Sequence, residues 1–298
     1  MSTRPRPIPQ RLAERIEVDA PGRIAPLAAR LMDGWLGSLV RALYRPTFSG
    51  WEHMPEEGPV LIVANHSGCG GVEVLALALL WREHFGDARP ATGMAHPAAW
   101  FLPGVATAVS QLGAIPSTRE AGLGALTEAR IPVLIFPGGD YEAFRPVWRA
   151  EEVDFNGRQG FLRLARDAGV PIVPLGIRGS HYTAPVLWRS ELLAWLLVIP
   201  RLLGAKRMPL TLFAVLGAGA LLALVGPLWG WGWAAVAVAL WMTCPLSIWS
   251  PIVPWPIHAR LGPPLAPEAL FGPEDDRRPL EGCYDEVVAE VQRLVVAP

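Results

Sequence analysis

The sequence predicts an α/β layered domain with a largely parallel sheet flanked by helices, plus an inserted transmembrane or re-entrant helical hairpin. Three observations predict it. Short apolar, β-branched runs alternate with helix-like segments through the first two thirds of the chain. From Arg207 to Arg260 no Asp, Glu, Lys or Arg intervenes. Of the 298 residues, 51% are hydrophobic and 18% charged, against about 25% charged in an ordinary soluble domain.

The elements follow in order. Residues 1–22 read as an Arg/Pro-rich tail without a packed core of its own. The first sixty residues hold no apolar h-region, so no cleavable signal peptide is read. Residues 23–45 read as one amphipathic helix: Leu27, Leu31, Trp35, Leu39 and Leu43 recur at helical spacing among Arg23, Arg30, Arg41 and Arg45. Such a stripe suits an anionic membrane surface and equally suits packing on the domain's own core.

Residues 46–190 read as the α/β domain proper. Strands are expected at Val60–Ala64, Ala91–Ala95, Pro132–Phe136 and Pro171–Ile177. Helices are expected at Val72–His84, Trp100–Leu112, Ala121–Ala129 and Gly157–Ala168, the last stopped by Gly169. Residues 191–250 are a hydrophobic membrane region. Leu192–Ile199 is too short to span, whereas Leu210–Leu228 and Trp231–Trp249 each approach the roughly 20 residues that cross a bilayer core. Gly226-Pro227 and Gly230-Trp231-Gly232-Trp233 mark the turn, and tryptophans favour an interface. Lys206 and Arg207 before the hairpin and Arg260 after it place both flanks on the cytoplasmic side. Residues 251–298 complete the domain, with a strand at Pro256–Leu261 and a closing helix at Tyr284–Val296.

Composition narrows the partners. A net charge of −1 gives no global basic field for nucleic acid. Cys69, Cys244 and Cys283 lie far apart without CxxC spacing, so neither a disulfide framework nor a metal site is read. The oligomeric state is not legible.

Three segments carry chemistry. In Asn65-His66-Ser67-Gly68-Cys69-Gly70-Gly71-Val72-Glu73 a histidine ends a strand, a glycine-rich turn follows, and a carboxylate stands in the first turn of a helix. A carboxylate folded back on the imidazole fixes its tautomer and makes it a general base, with no serine or cysteine nucleophile required. Next, Leu134–Phe136 runs into Pro137-Gly138-Gly139-Asp140-Tyr141-Glu142-Ala143-Phe144-Arg145. Ligands of open α/β sheets bind at such strand ends, where backbone N–H groups and Arg145 would hold a phosphate or oxyanion. Last, Gly169-Val170-Pro171-Ile172-Val173-Pro174 leads to Gly179-Ser180-His181. Here His181 reads either as part of the site or as a satisfied structural histidine.

In this order the segments resemble the glycerolipid acyltransferase superfamily, which includes lysophospholipid acyltransferases, and within it the bacterial, diacylglycerol-acyltransferase-like branch. The resemblance rests on Val63–Gly68, Gly113–Glu120, Phe136–Pro146, Gly157–His181 and Pro256–Leu265. It implies His66 as catalytic base and Glu73 as its partner, with Asn65, Arg119, Gly138, Gly139, Glu142 and Arg145 binding substrate. It implies no cofactor, acyl-CoA or acyl carrier protein as donor, and membrane lipids as partners. Two departures stand out. The family commonly places four residues between His and its carboxylate, a place taken here by Gly71, and Gly138 replaces the glutamate of a Phe-Pro-Glu-Gly block. The activity implied is transfer of a fatty acyl group to a lipid hydroxyl at the cytoplasmic membrane face. The competing readings are a lipid-binding scaffold that keeps the fold without catalysis, and a lipid or thioester hydrolase.

Overall fold

The computed structural model describes residues 16, 18, 20–68, 71–101, 104–196, 207–250 and 253–297. The expectations attached to Cys69, Lys206, residues 197–199 and most of the N-terminal tail lie outside them.

A seven-stranded sheet organises the chain, in the order β1 (Thr47–Ser49), β9 (His258–Leu261), β6 (Ile172–Arg178), β2 (Leu61–Ala64), β5 (Val133–Ile135), β3 (Thr92–Ala95), β4 (Ile115–Pro116). The five strands from β6 to β4 run parallel, while β9 is antiparallel to β6 and carries β1 parallel to itself. The largely parallel sheet is therefore as expected. β2 sits at its centre with Leu61 aligned on Val133 and on Ile172. All four of its side chains are buried, as a strand covered on both faces requires.

Two apolar layers cover the sheet. One packs Leu61, Val63, Val133, Phe155, Phe161, Leu162 and Ile172 with the closing helix Leu280–Val296. The other packs Ile62, Ala64, Val173, Leu175 and Ile177 with Ala76 and Leu79 of the helix Val72–Phe85, and with Met32, Val40 and Tyr44. The predicted strands and helices of the domain are present within a few residues of their expected limits, except that Trp100–Leu112 is not one helix: a 3-10 turn, Pro97–Phe101, and a helix, Val105–Gln111, stand in its place. The closing helix starts earlier, at Leu280, because Pro279 presets its first turn.

Two expectations are corrected. The single helix over 23–45 is two helices, Pro26–Asp33 and Trp35–Tyr44, separated at Gly34, whose ψ of −132° is not helical. Their buried positions are Ala28, Met32, Val40 and Tyr44, whereas Leu27, Trp35 and Leu39 of the apolar stripe face outward, 45–64% exposed. Of the stripe, Leu43 packs against the core, while these three residues do not. The chain also reaches the body before residue 23, since Gly22 donates its N–H to Gly113 at 2.8 Å.

The second correction concerns the hairpin. Its first arm is one helix, Leu212–Trp229, capped by the Thr211 hydroxyl accepting from Ala214 N–H at 3.0 Å. Its 18 residues rise about 27 Å. The second arm stops at Thr243, breaks at Cys244-Pro245, and resumes as the short helix Pro245–Trp249. The break falls there because the Pro245 ring disfavours helical geometry at the preceding residue, and Cys244 is extended with ψ 129°. Only the first arm is long and apolar enough to cross a membrane, and 11% of it is buried. The expected boundary at 190/191 is bridged by an antiparallel ribbon of β7 (Val186–Ser190) and β8 (Met208–Thr211), which leads straight into the hairpin. At its base the Thr211 hydroxyl donates to the Ser247 carbonyl at 2.6 Å.

Candidate active site

Three neighbouring parallel strands deliver the candidate residues at one edge. β2 ends at Ala64 and is followed by Asn65 and His66; β5 leads into Phe136–Gly139; β6 leads into Gly179–His181. These are carboxyl ends of parallel strands, where open α/β sheets place their ligands.

Asn65 is fully buried and clamps two strands together. Its Nδ2 donates to the Ile177 carbonyl at 2.8 Å and its Oδ1 accepts the Ile177 N–H at 2.7 Å. With donor and acceptor both engaged, the amide fixes where His66 leaves the sheet. The chain then turns, and at Gly71 the backbone adopts φ +65°, the left-handed conformation that glycine takes without strain. This turn starts the helix Val72–Phe85 and sets Glu73 in its first turn, where the helix dipole favours a carboxylate.

Glu73 reaches His66: Oε1 lies 2.8 Å from Nδ1, with the carboxylate fully buried and the imidazole 21% exposed. The distance is that of a close ion pair, but the ring nitrogen is not well directed at the oxygen, so it falls short of a well-formed hydrogen bond. Catalytic hydrogen bonds are often loose before substrate arrives. The second carboxylate oxygen accepts from the Ser180 hydroxyl at 3.2 Å, and that hydroxyl also contacts the Ser67 carbonyl and lies 3.1 Å from Ser67 Oγ. Glu73 is therefore anchored through Oε2, with Oε1 left facing the imidazole. Phe136 lies against the imidazole, its ring centroid 4.7 Å away.

A second buried carboxylate supports the histidine from its backbone. Glu142 Oε2 accepts the His66 N–H at 2.8 Å, while Oε1 accepts Asp154 N–H at 3.2 Å and Arg145 Nη1 at 3.3 Å. Burial pushes the Glu142 carboxyl up to about 7, against the opposing pull of Arg145 and the two backbone N–H groups. Gly138 makes this arrangement possible. A Cβ there would come within 2.5 Å of both Glu142 Cβ and Oε2, so the residue that departs from the Phe-Pro-Glu-Gly pattern is the one that leaves room for Glu142.

Arg145 is not at the mouth of the site, where its place in the sequence suggested. It is 3% exposed, with Nη2 3.0 Å from His181 Nε2 and 3.4 Å from the Ala150 carbonyl. Because a guanidinium only donates, His181 Nε2 accepts, and the ring is neutral. Burial holds its imidazole well below 6.5, and Arg145 adds to the effect. His181 is a structural base under the site.

The structure thus brings together Asn65, His66, Glu73, Gly138, Gly139, Glu142 and Arg145. Arg119 is elsewhere on the same edge, beyond β4, where its Nη2 pairs with Asp167 at 2.8 Å. Three residues were missed in the sequence. Ser67 and Ser180 back the carboxylate, and Arg158 holds the glycine turn through the Pro137 and Gly138 carbonyls and Asp140, at 2.9–3.2 Å. The signal for Ser180 was its place after β6, which becomes informative only once β6 is known to lie beside β2.

The site is thus a buried carboxylate beside a histidine at the carboxyl edge of an open, mostly parallel sheet. The family described as acyltransferase matches residues 45–178 of the chain. Among curated relatives, an uncharacterized protein of Mycobacterium leprae (strain TN) is 29% identical over 221 residues, covering 72% of this chain and 57% of that protein. An uncharacterized protein of Mycobacterium tuberculosis (strain ATCC 25618 / H37Rv) is 28% identical over 220 residues, covering 72% and 58%. A protein of Bos taurus described as a DGAT1/2-independent enzyme synthesizing storage lipids is 27% identical over 147 residues, covering 49% and 42%. The chain spans under 60% of the length of these relatives. A crystal structure of the 1-acyl-sn-glycerophosphate (LPA) acyltransferase PlsC from Thermotoga maritima aligns with a TM-score of 0.46 at 16% identity, covering 88% of this chain and 77% of that one.

Proposed function

We propose that this protein is a membrane-bound O-acyltransferase that moves a fatty acyl group from a thioester, acyl-CoA or acyl carrier protein, to a hydroxyl of a glycerolipid or related lipid. The observation that carries the reading is the 2.8 Å approach of the buried Glu73 carboxylate to His66 Nδ1. With Nδ1 facing Glu73, Nε2 is the ring nitrogen left to act. It takes the proton of the acceptor hydroxyl as the oxygen attacks the thioester carbonyl. Glu73 stabilises the imidazolium so formed. Collapse of the tetrahedral intermediate breaks the C–S bond, and the imidazolium returns its proton to the departing thiolate. The oxyanion needs donors held in place; Arg158, fixed on the 137–140 turn and 39% exposed, is the candidate guanidinium. No step calls for a bound cofactor or a covalent acyl-enzyme.

The scaffold reading rests on the two departures from the family pattern, and the Glu73–His66 approach speaks against the first of them, the lengthened spacing. The apolar hairpin and the outward Leu27, Trp35 and Leu39 would hold the site at the cytoplasmic membrane surface, where both acyl chains reside.

The test is an acceptor-lipid screen with labelled acyl-CoA and with acyl carrier protein thioester. Thioester consumption that depends on acceptor, with label recovered in lipid, is the expected result. Consumption without acceptor would mean a hydrolase, and none with any acceptor would mean a scaffold.

A further inference from the structure

Arg145, the arginine that sequence suggests for anion recognition, is turned inward and 3% exposed. Two other arginines sit beside the site. Tyr141 precedes Glu142 on the short helix Gly139–Ala143, so it lies one residue from the carboxylate that holds His66. Over its ring stand Arg189, with Cζ 4.0 Å from the centroid, and Arg207, at 5.1 Å. Arg189 comes from β7, and Arg207 immediately precedes β8. Both therefore belong to the ribbon that leads into the apolar hairpin, beyond the family-matched residues 45–178.

Two like charges within 5.1 Å of one ring centroid repel unless something negative meets them. The ring quadrupole offsets part of this. Arg189 also donates from Nη1 to the Tyr141 carbonyl at 2.5 Å, and among the described residues it has no carboxylate partner. Arg207 pairs with Glu191 at 2.9 Å, but Glu191 is 66% exposed and screened by water. The neighbouring Asp140 is committed to Arg158 at 3.0 Å. What remains is a pair of guanidinium forks held against Tyr141 at the foot of the hairpin, one residue along the chain from Glu142. Such forks match the tetrahedral oxygens of a phosphate.

We propose that Tyr141, Arg189 and Arg207 form a phosphate-binding site, which seats the phosphate of a lipid next to His66. The proposal rests on the acyltransferase reading for its consequence but not for its binding chemistry. The phosphate has two sources, the headgroup of the acyl acceptor or that of a surrounding anionic lipid, and two arms separate them.

In detergent micelles, the full-length protein is assayed with labelled acyl-CoA and either a monoacylglycerol phosphate or the corresponding neutral monoacylglycerol. Arg189→Gln and Arg207→Gln are each expected to raise KM for the phosphate acceptor about tenfold, the scale of a charged hydrogen bond. The double variant should lose the preference over the neutral acceptor, and Arg189→Lys, which keeps charge but not the fork, should fall between. In the second arm, co-sedimentation is measured with phosphatidylcholine vesicles with and without phosphatidylglycerol. A loss confined to the phosphatidylglycerol vesicles, with micellar KM unmoved, assigns the site to bilayer phosphate. A folded double variant, with wild-type unfolding midpoint and unchanged values in both arms, overturns the proposal. Should the wild type transfer no acyl group at all, the function falls while the vesicle arm still reads the site.

Discussion

Glu142 holds His66 by its backbone N–H while Glu73 approaches its ring, at 2.8 Å in each case. The two carboxylates divide the work. One fixes where the residue stands and the other fixes how its imidazole is turned, so the sites of these two contacts respond differently to substitution.

His66→Ala is expected to lower acyl transfer by about 10² to 10⁴-fold, the usual contribution of a general base. The fold and membrane association should persist, because the imidazole lies at a strand end and not in either core layer. Turnover of the purified variant checks this; activity above a tenth of wild type would remove His66 from the chemistry.

Glu73→Gln keeps the size and the Ser180 contact but cannot stabilise an imidazolium. A fall in kcat with KM little changed is expected, and Glu73→Asp should retain part of the rate only if the Gly71 turn follows the shorter side chain. A Glu73→Gln enzyme impaired in KM alone would assign the residue to binding.

Gly138→Ala should act through Glu142. The added methyl meets the carboxylate at 2.5 Å, so Glu142 must leave or the turn must shift. Overpacking of this kind costs about 1–3 kcal/mol. Both a lowered unfolding midpoint and a reduced kcat are expected, and Gly138→Ala combined with Glu142→Ala should recover part of the stability. No recovery would place the damage in the backbone instead.

Two buried groups give the stability opposite slopes with pH. His181 titrates well below 6.5 in the folded protein. The unfolded chain takes up its proton first, so this contribution is complete above about 6.5 and is lost on acidification. Glu142 is raised from 4.5 to about 7. Here the folded state keeps a proton that the unfolded state releases, so stability falls as pH rises through that window. Unfolding midpoints of His181→Gln should show a flatter acid limb, and those of Glu142→Gln a flatter limb between 4.5 and 7. A His181→Gln profile parallel to wild type would contradict the neutral, accepting imidazole.

The hairpin should resist extraction by high salt and by alkaline carbonate, since its exposed Leu, Val and Trp side chains carry no compensating charge. Gly232 has open space around it, so Gly232→Cys reports the tip without steric disturbance. In vesicles it should be shielded from a water-soluble thiol reagent added on the catalytic side, whereas exposed Glu268→Cys should react. Equal reaction rates would put the hairpin outside the bilayer.

Much of this was legible from local pattern. β-branched runs gave the central strands, and a histidine after one of them, with a glycine turn and Glu73 beyond, gave the pair. What was not legible needed three dimensions. No periodicity says that β6 lies beside β2, so Ser180 and the inward course of Arg145 were out of reach. The helix break at Gly34 competes with an apolar spacing that runs through it, and an outward apolar stripe looks the same in sequence as an inward one. The break at Cys244-Pro245 did carry a signal, the proline, which the length of the apolar run outweighed.

The hydrogen bond from Thr211 to Ser247 closes the hairpin at its foot. The chain leaves and re-enters the body at nearly one point, so the segment between is a detachable module and not a strut of the sheet. Replacing residues 212–246 by a short polar linker should therefore yield a water-soluble catalytic body, suited to crystallisation and to kinetics on short-chain acceptors. It would separate the demands of chemistry from those of reaching lipid, across a foot tied by the Thr211 hydroxyl, by the Leu212 N–H on the Pro185 carbonyl and by the ribbon beneath.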